Sequence, residues 1–470
     1  MDRIFLNTNI LKNKNHIHFI GIGGSGMYPL AQILHSQGYF ITGSDNNETE
    51  TLQAVRNMGI KVCLGQKAEN IEGADLIVHT AAIMPDNPEL IAAKASGVPV
   101  LERSELLGII TSCYDNAICI SGTHGKTTVT SMITQILFDK GLDISAVIGG
   151  KLPAIHGSGR AGKSDIMTCE ACEFQDHFLN LSVDTAVILN VDEDHLDYFK
   201  NLDNIIKSFH KFAENAAKAV IVNGDDANSM KAIENLSSKK DIITFGRSDK
   251  NDWYPSDIRH ISGLETAFTL MHKGEKVTDL TIHVPGEHNI VNAVAAAAAS
   301  IYAGAEPEDV KKGLDGFKGA GRRFEKYGEV NGITVVDDYA HHPAEISVTL
   351  NAAKSLGFKR VWAVHQPFTY SRTSLLLDDF VKALSIADKV VLTSIMGSRE
   401  KNTIGIHTKD LAEKINGSVW FEEEEHDKNF ELAADYVVKN AESGDLIVTL
   451  GCGDVNKLAR LILKKLEEKN

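Results

Sequence analysis

Hydrophobic and polar positions near the N-terminus change from strand-like to helix-like spacing and back. The run HIHFI (16–20) is β-branched and aromatic, apolar residues recur at helical spacing over 30–34, and a second apolar run follows at 39–42. Continuous apolar runs predict buried strands, and a spacing of three to four residues predicts an amphipathic helix. Two later apolar runs continue the alternation, at 74–83 and 97–101. The pattern predicts a small parallel α/β domain over residues 1–113.

The same order of strand, glycine turn and helix recurs in the middle of the chain. In NAICISGTHGKTTVTSMITQILFDKG (116–141), an apolar run leads through two glycines into an amphipathic stretch. Further strands are predicted at 165–170, 185–191, 218–226 and 241–246. Residues 265–284 alternate around Lys273 and Gly274, which is typical of an antiparallel hairpin. An alanine-rich helix (292–305) follows, and we assign residues 114–318 to a central domain with a mostly parallel sheet.

Glycines become frequent at GLDGFKGAGRRFE (313–325), which indicates a hinge. Beyond it, apolar runs alternate with helix-forming stretches in GITVVDD, RVWAVH, KVVLTSI and GDLIVTL. We assign residues 319–470 to a third α/β domain. The predicted fold class is therefore α/β, with Rossmann-like domains at both ends of the chain and a phosphate-loop (P-loop) domain between them.

Bulk composition narrows the class of protein. The 470 residues are too many for one ordinary core, and 43% hydrophobic with 24% charged residues is ordinary for a globular protein. The net charge of −15 argues against a general nucleic-acid binder, because a polyanion would be repelled. No apolar run is long enough for a membrane span, and the first residues lack the pattern of a signal peptide. We therefore expect a cytoplasmic protein with neither nucleic acid nor membrane as a partner.

The six cysteines fit this expectation, because thiols without a secretion signal are expected to stay reduced. Cys169 and Cys172 have the spacing of a redox pair or of half a zinc site, but no second pair of this kind exists. We interpret them as packing residues beside Glu170.

The central glycine turn, SGTHGKTT (121–128), carries the first candidate chemistry. A strict Walker A loop, G-x-x-x-x-G-K-[ST], needs its first glycine two residues earlier, so this loop is shorter. Backbone N–H groups between a strand and a helix nevertheless form an anion site, and Gly122 and Gly125 allow a phosphate to approach closely. Lys126 can neutralise phosphate oxygens, and Thr127 can bind Mg²⁺ through its hydroxyl. A structural turn without a ligand is the alternative.

The first glycine turn, GIGGSG (21–26), satisfies G-x-G-x-x-G, and Asp45 follows at roughly the distance used to bind a ribose hydroxyl. Alone, this motif would suggest NAD, and a tight turn without a ligand is again possible. Two phosphate loops in one chain favour two phosphorylated substrates.

Carboxylates and a histidine follow two of the central strands. Glu170 ends the strand that leads into EACEFQD, and His195 lies in NVDEDHLD after another strand. Because the carboxyl ends of parallel strands face the ligand crevice, Thr127, Glu170 and His195 are expected to gather around divalent cations. Oxygen ligands suit Mg²⁺, and an imidazole also admits Mn²⁺. A solvated loop is the alternative for the acidic run around His195.

Further polar groups open the alanine-rich helix or follow strands of the last domain. GEHNIVNA places His288 and Asn292 at the mouth of the helix, where they can contact an adenine or simply cap the helix. GRRFE offers Arg322 and Arg323 to a transferred phosphate. The candidates from DDYAHHP and QPFTYSRT are Asp338, His341, His342, Tyr370 and Arg372.

These motifs, in order along most of the chain, resemble those of the Mur ligase family of peptidoglycan synthesis. The set is GIGGSGM, SGTHGKTT, EACEFQ, NVDEDHLD, GEHNIVNA, GRRFE, DDYAHHP and QPFTYSRT. The resemblance implies that the short central loop is the family's own form of Walker A. It also implies a UDP-substrate-binding domain at 1–113, an ATP-binding domain at 114–318, and an amino-acid-binding domain at 319–470 that closes over both.

Matching motifs imply a role for each candidate residue. The UDP-substrate would be bound by Gly23, Gly24, Ser25, Gly26, Asp45 and His124. ATP would be bound by Gly122, Thr123, His124, Gly125, Lys126, Thr127, Thr128, His288, Asn292, Arg323 and Asp338. The metal ligands would be Thr127, Glu170 and His195, and the catalytic residues Lys126, Glu170, His195 and Arg323. The amino acid would be held by His342, Tyr370 and Arg372.

The resemblance also implies a reaction. GIGGSGM with GTHGKTT, DDYAHHP and QP-x-x-YSRT is most similar to the motifs of members that join L-alanine to the lactyl carboxylate of UDP-N-acetylmuramate. In that reaction ATP phosphorylates the carboxylate, and the amine of L-alanine then displaces phosphate from the acyl phosphate. The implied partners are these three small molecules and Mg²⁺ or Mn²⁺, in the bacterial cytoplasm, with a monomer or homodimer as the acting form.

The chain departs from the family pattern at three places. EACEFQD stands where many relatives have E-A-D-E-S-D, Phe368 where they have histidine, and Thr369 where a basic residue is frequent. Carboxylate recognition would then depend more on Arg372. Some relatives carry a carbamylated lysine near the second metal, and none is assigned around 208–211.

Three alternative functions are carried forward. A recycling ligase of the same family joins a preformed tripeptide to UDP-muramate and shares the first two motifs, but the YSRT segment is not expected there. An NAD-dependent dehydrogenase would use GIGGSGM and Asp45, and would leave the second loop and the metal ligands without a role. A non-catalytic nucleotide-binding regulator would not need Lys126, Glu170 and His195 together.

Overall fold

The computed structural model describes residues 8–469 except 238, 263–264, 399 and 424–425, and it contains three α/β sheets. The strands of the first sheet are β1 (His16–Ile20), β2 (Phe40–Asp45), β3 (Lys61–Leu64), β4 (Leu76–His79) and β5 (Val100–Glu102). Its helices are α1 (Tyr28–Ser36), α2 (Glu50–Asn57), α3 (Pro88–Ala95) and α4 (Arg103–Thr111). The strand order is β3-β2-β1-β4-β5, and all pairs are parallel. The order reverses beside β1, so the glycine turn after β1 lies at the point where such sheets bind ligands.

The second sheet has ten strands. They are β6 (Asn116–Ser121), β7 (Ser145–Leu152), β8 (Gly157–Arg160), β9 (Ile166–Glu170), β10 (Thr185–Ile188), β11 (Ala219–Asn223), β12 (Asp241–Phe245), β13 (Trp253–Ser262), β14 (Glu265–His272) and β15 (Glu275–Ile282). The helices are α5 (Lys126–Asp139), α6 (Leu196–Phe199), α7 (Leu202–Asn215), α8 (Ala227–Ala232), α9 (Glu287–Tyr302) and α10 (Pro307–Gly316). The order is β15-β14-β13-β12-β11-β10-β6-β9-β7-β8, and the neighbouring pairs from β13 to β7 are parallel.

The mostly parallel central sheet and the hairpin around Lys273 and Gly274 are therefore confirmed. The antiparallel pair β7–β8 is an addition that the sequence pattern did not predict. Its segments, SAVIGGKL and GSGR, are rich in glycine, which weakens the usual signature of a strand.

The third sheet has the order β16-β17-β21-β18-β19-β20, with β16 antiparallel and the other strands parallel. Its strands are β16 (Glu325–Val330), β17 (Ile333–Asp338), β18 (Arg360–His365), β19 (Lys389–Leu392), β20 (Val419–Trp420) and β21 (Asp445–Leu450). Its helices are α11 (Pro343–Ser355), α12 (Tyr370–Leu375), α13 (Leu377–Leu384), α14 (Thr408–Ala412), α15 (His426–Asn440) and α16 (Val455–Glu468). The consecutive residues Val335 and Val336 of β17 point to opposite faces and are buried in different hydrophobic clusters, so helices cover both faces of the sheet.

The chain divides into two compact units. One contains residues 1–258, 267–281 and 290–317, and the other contains residues 259–266, 282–289 and 318–470. The first sheet thus belongs to the first unit and the third sheet to the second. The glycine-rich stretch at 313–325 begins inside α10, because this helix continues to Gly316. The domain boundaries at 113/114 and 318/319 stay predictions.

The helix that carries the alanine run is a core element. In α9 the residues Ala293–Ala299 are almost completely inaccessible to solvent, because small side chains let neighbouring elements approach closely. This confirms the close-packed helix expected from the sequence. Among the described residues, no helix combines the length and the apolar character that crossing a membrane requires.

Candidate active site

A four-residue loop joins β6 to α5 at the carboxyl edge of the central sheet. Gly125 has a φ of 88° and caps the helix, a conformation that a residue with a side chain rarely adopts. A β-carbon at this position would also lie 2.9 Å from Oδ1 of Asn292. The short loop therefore leaves the first turn of α5 open to an anion and has Asn292 packed directly against it.

Asn190, which follows β10, fixes the shape of this loop. Its carbonyl accepts from the N–H of Thr123 at 3.0 Å, and its Oδ1 accepts from the N–H of His124 at 2.8 Å. Its amide nitrogen returns a bond to the carbonyl of His124 at 3.0 Å. Three hydrogen bonds from one residue make the loop rigid before any ligand arrives.

The lysine of the loop is buried and fully engaged by protein groups. Lys126 Nζ donates to the carbonyls of Gly122 at 2.5 Å and Thr123 at 3.2 Å, and to Glu173 at 2.9 Å. Burial is the strongest single influence and acts to lower the pKa of Lys126, but the charge and hydrogen bond of Glu173, together with Cys172 and Glu170, raise the pKa overall. Lys126 is therefore a permanent cation whose present counter-ion is the side chain of Glu173.

The threonine that follows is bonded to the strand-end carboxylate. Thr127 Oγ1 donates to Glu170 Oε2 at 2.8 Å, and the N–H of Gly149 in β7 donates to the same oxygen at 2.8 Å. A β-carbon at position 149 would lie 2.6 Å from both carboxylate oxygens, so only glycine fits there. The sequence prediction that Thr127 and Glu170 lie together is realised in this geometry, and their oxygens are the ligand type that Mg²⁺ prefers.

His195 lies on a strained stretch beside the same loop. Its φ is 51°, and its ring centre lies 4.7 Å from that of Phe174. Its backbone N–H donates to Asp194 Oδ1 at 2.7 Å. The facing segment is strained as well, with positive φ at Gln175 and Asp176. Within the described residues, no three His, Cys, Asp or Glu side chains are grouped to hold a metal ion. A second metal at His195 stays a prediction.

The carboxylate of Asp45 supports the first glycine turn from inside. Asp45 Oδ2 accepts the N–H of Gly23 at 3.0 Å, and Oδ1 accepts the N–H of Asn47 at 3.1 Å. The turn is closed further by the N–H of Gly24, which donates to the carbonyl of Gly21 at 3.1 Å. The role of Asp45 in binding a ribose stays a prediction, because the described bonds assign its oxygens to the turn.

In the second unit, Asp338 organises the turn that carries the paired arginines. Its oxygens accept the N–H groups of Phe324 and Ala340, both at 2.8 Å. Burial raises the pKa of Asp338 to about 6, although the charge of Arg323 and the two N–H bonds act in the opposite direction. The guanidinium of Arg323 lies over the ring of Tyr339 at 5.2 Å.

The two arginines of this turn have different surroundings. Arg322 donates to Asp337 at 2.9 Å, to the carbonyl of Gly453 at 2.8 Å and to that of Gly451. Its charge is thus neutralised inside the third domain, where it ties the turn to the loop after β21. The role of Arg323 in binding a ligand stays a prediction.

The predicted amino-acid-binding residues open two helices of the third domain. His342 precedes α11 and caps it, and Tyr370 begins α12. Burial lowers the pKa of the neighbouring His341, and the charge of Arg372 lowers it further against the effect of Glu345. Within the described part of the chain, the buried Nη1 of Arg372 has no hydrogen-bond acceptor. An unsatisfied guanidinium nitrogen of this kind favours an anionic ligand such as a carboxylate.

Three functional candidates escaped sequence reasoning: Glu173, Asn190 and Gly149. Glu173 and Asn190 lie inside quoted motifs, but neither residue type marks itself as a partner of Lys126 or as a brace for a loop. Gly149 lies in a segment that was not recognised as a strand. Only the folded chain reveals its contact with Glu170, whose Oε2 accepts the N–H of Gly149 at 2.8 Å.

The fold and this arrangement of the phosphate loop, Lys126 and the Thr127–Glu170 pair define a nucleotide-dependent α/β enzyme of three domains. Family profiles match three consecutive stretches: the Mur ligase family, catalytic domain, at 16–114; the Mur ligase middle domain at 120–300; and the Mur ligase, glutamate ligase domain, at 322–453. The chain belongs to the Mur ligase family.

Known relatives extend over nearly the whole chain. It is 45% identical to the UDP-N-acetylmuramate–L-alanine ligase of Agathobacter rectalis, over 96% of this chain and 98% of that protein. The crystal structure of UDP-N-acetylmuramate-alanine ligase from Thermotoga maritima is similar with a TM-score of 0.81 at 26% identity, covering 97% and 100% of the two chains. A murein peptide ligase from Psychrobacter arcticus has a TM-score of 0.70 at 24% identity, over 96% and 98%, and shares the fold.

Proposed function

We propose that the protein is an ATP-dependent ligase that joins L-alanine to the lactyl carboxylate of UDP-N-acetylmuramate during peptidoglycan precursor synthesis in the bacterial cytoplasm. The observation that carries this proposal is the 45% identity to a ligase of that name over 96% of the chain. It is supported by a central loop in which Lys126 and the Thr127–Glu170 pair flank an open helix N-terminus.

The phosphates of ATP would bind at the first turn of α5. Backbone N–H groups at the start of a helix attract anions, and Lys126 supplies a cation that burial does not neutralise. Asn292, packed against Gly125, lies where it can contact the nucleotide. The family motifs also imply an ATP-binding role for His288, Arg323 and Asp338.

Mg²⁺ fits the oxygens of Thr127 and Glu170, and Mn²⁺ would fit with His195 as a further ligand. The metal would supply neutralisation of the charge that develops on the transferred phosphoryl group. Lys126 would act on the same charge from the protein side, and the motif that carries Arg323 implies a catalytic role for that residue as well.

The two chemical steps place different demands on the chain. In the first, the lactyl carboxylate takes the γ-phosphoryl group of ATP to give an acyl phosphate and ADP. In the second, the amine of L-alanine attacks the acyl carbon, an amide forms, and phosphate leaves. Arg372, whose buried nitrogen has no acceptor among the described residues, is suited to hold the amino-acid carboxylate, with His342 and Tyr370 at the adjoining helix starts.

A second candidate is the recycling ligase, which joins a tripeptide to the same UDP-substrate. The similarity of the murein peptide ligase of Psychrobacter arcticus concerns the fold alone at 24% identity. The dehydrogenase alternative has no support, because the profiles that match the chain are three Mur ligase domains in succession.

The decisive experiment measures phosphate release from ATP with Mg²⁺ and UDP-N-acetylmuramate, with one amino acid or peptide at a time. We expect phosphate release that requires both UDP-N-acetylmuramate and L-alanine. Mass spectrometry of the product should show one amide formed for each phosphate released. Release that occurs only with the tripeptide would move the protein to the recycling ligase. Absence of release with every acceptor would disprove a ligase activity.

A further inference from the structure

Arg103 is a cation beside the first glycine turn that no motif identified. It is the first residue of α4, and it is partly buried. A β-carbon built on Gly26 would lie 3.0 Å from Cδ and 3.4 Å from both Nε and Nη1 of Arg103. The guanidinium therefore lies directly against the exposed side of the turn.

This guanidinium lacks a protein partner. Within the described ranges of the chain, none of its five N–H groups forms a hydrogen bond or an ion pair. Of the adjacent carboxylates, Glu102 Oε2 accepts the N–H of Ser104 at 2.9 Å and lies 3.8 Å from His177, and Glu105 Oε2 accepts the N–H of Glu102 at 2.7 Å. The buried Oε1 of Glu102 has no hydrogen-bond partner among the described residues. The capping of α4 thus directs one oxygen of each carboxylate to a backbone N–H, and within the described ranges neither carboxylate forms an ion pair with Arg103.

The glycine turn that Arg103 contacts also contains backbone donors without an acceptor. The N–H groups of Gly23 and Gly24 are bonded to Asp45 and to the carbonyl of Gly21. In the described part of the chain, the N–H groups of Ser25 and Gly26 have no acceptor. Two free backbone donors and a free guanidinium within contact distance form a site for an anion that has several oxygens.

The charge of Arg103 also reaches the loop that carries Glu173. Burial lowers the pKa of His177, and Arg103 lowers it further, against the effect of Glu102. Burial and Glu173 raise the pKa of Cys172, and the charges of Lys126 and Arg103 act against this rise. Arg103 therefore contacts the first glycine turn, and its charge also acts on His177 and Cys172 on either side of Glu173.

We propose that Arg103 binds the diphosphate of the UDP-substrate, opposite the N–H groups of Ser25 and Gly26. The planar guanidinium donates two parallel N–H bonds to phosphate oxygens, which a lysine cannot do. In a chain with a net charge of −15, an isolated cation at this turn also attracts the anionic substrate specifically to its site. The assignment rests on the proposed function, because that function supplies the diphosphate.

The test compares UDP with uridine, which lacks the diphosphate, by isothermal titration calorimetry on the full chain. The variants are Arg103→Met, which removes the charge, and Arg103→Lys, which keeps the charge and loses the two parallel N–H donors of the guanidinium. Arg56→Met is the matched control, because Arg56 belongs to the same domain and is already paired with Glu48 at 2.7 Å. ATP is titrated separately to test whether the variants change the central loop.

We expect Arg103→Met to weaken UDP binding by about tenfold to a hundredfold, the range for a charge-assisted hydrogen bond, and to leave uridine and ATP binding unchanged. Arg103→Lys should recover part of the loss, and Arg56→Met should show none. Unchanged UDP affinity in Arg103→Met, or an equal loss for uridine or ATP, would overturn the assignment. A parent protein that binds no UDP would instead disprove the proposed function.

Discussion

The two phosphate loops of the first unit have the same order of strand, glycine turn and helix, yet they treat their cations differently. In the central loop, Lys126 is bonded to Glu173 and two carbonyls, and Glu170 is bonded to Thr127 and Gly149. At the first glycine turn, Arg103 has no described partner. Ligand binding at the central loop must therefore exchange existing bonds, whereas binding at the first turn adds bonds to unsatisfied groups.

This difference shows how one protein can bind two polyanionic substrates in two different ways. A site that exchanges partners binds with a smaller net gain, and its geometry is set before the ligand arrives. A site with free donors gains more on binding and needs no internal carboxylate. The exchange of partners suits the central loop, which stabilises a transferred phosphoryl group. The free donors suit the first glycine turn, which only binds the substrate.

The largest expected effect comes from removing the engaged cation. Lys126→Ala should lower the rate of phosphate release by about a hundredfold to a thousandfold, because the charge that develops on the phosphoryl group loses its preorganised partner. The rate is measured with saturating UDP-N-acetylmuramate and L-alanine. Lys276→Ala, a change at an exposed lysine paired with Asp279, serves as the control and should keep full activity. If Lys126→Ala released phosphate at a rate within threefold of the parent, Lys126 would not be the cation that stabilises the transferred phosphoryl group.

The next effect concerns a buried charge in the second unit that is less well compensated than Lys126. Because the pKa of Asp338 is raised to about 6, the folded chain holds this proton more tightly than the unfolded chain does. The contribution of Asp338 to the free energy of unfolding therefore decreases as the pH rises from about 4 to about 6, by roughly 3 kcal/mol in total. Relative to the parent, Asp338→Asn should become more stable across this window.

Urea unfolding of the parent and of Asp338→Asn at a series of pH values measures this difference. Asp378→Asn is the control, because the bond from Lys414 holds the pKa of Asp378 below its ordinary value and outside the window. A stability difference between parent and Asp338→Asn that stays constant from pH 4 to pH 7 would contradict the prediction.

A smaller effect is expected from removing the internal counter-ion of the central loop. Glu173→Gln should tighten the binding of a non-hydrolysable ATP analogue by about threefold to tenfold, since the phosphates no longer compete with a carboxylate for Lys126. Binding is measured by calorimetry in the presence of Mg²⁺. Glu193→Gln removes an exposed charge from a neighbouring loop and should change the affinity by less than Glu173→Gln does. Equal or weaker binding in Glu173→Gln would show that Lys126 and Glu173 act as a unit.

The smallest effect is expected at the support of the first turn. Asp45→Asn keeps an oxygen for the N–H of Gly23 but loses the charge that strengthens this bond, so UDP affinity should fall by about threefold. Asp86→Asn, at an exposed position of the same domain, should have no effect. A loss of UDP affinity larger than that of Arg103→Met would mean that Asp45 touches the substrate itself.

Much of the fold could be predicted because periodicity reports burial directly. The parallel strands before the glycine turns are continuous apolar runs, and the alanine run of α9 has the composition of a close-packed helix. The pair β7–β8 was missed because its glycines give neither an alternation of apolar and polar residues nor the bulky side chains that are typical of strands. Gly149 lets the backbone of β7 pack directly against Glu170. This requirement comes from a contact between distant residues, and the local sequence pattern does not show it.

The candidate site divides in the same way. Lys126, Thr127 and Glu170 were found because their spacing follows from the strand and the helix on which they lie. Glu173 and Arg103 were missed because their importance depends on which charges around them are already paired. Pairing is a property of the folded chain, and a single sequence shows residue types without showing their partners.

The contact between Gly149 and Glu170 has a consequence for inhibitor design. Any side chain at position 149 would collide with both carboxylate oxygens of Glu170 at 2.6 Å. A compound that hydrogen-bonds the peptide backbone at this position would therefore contact a site where every amino-acid replacement displaces Glu170. Bacteria could not evade such a compound through a mutation at residue 149 without disturbing the carboxylate on which their own ligase depends.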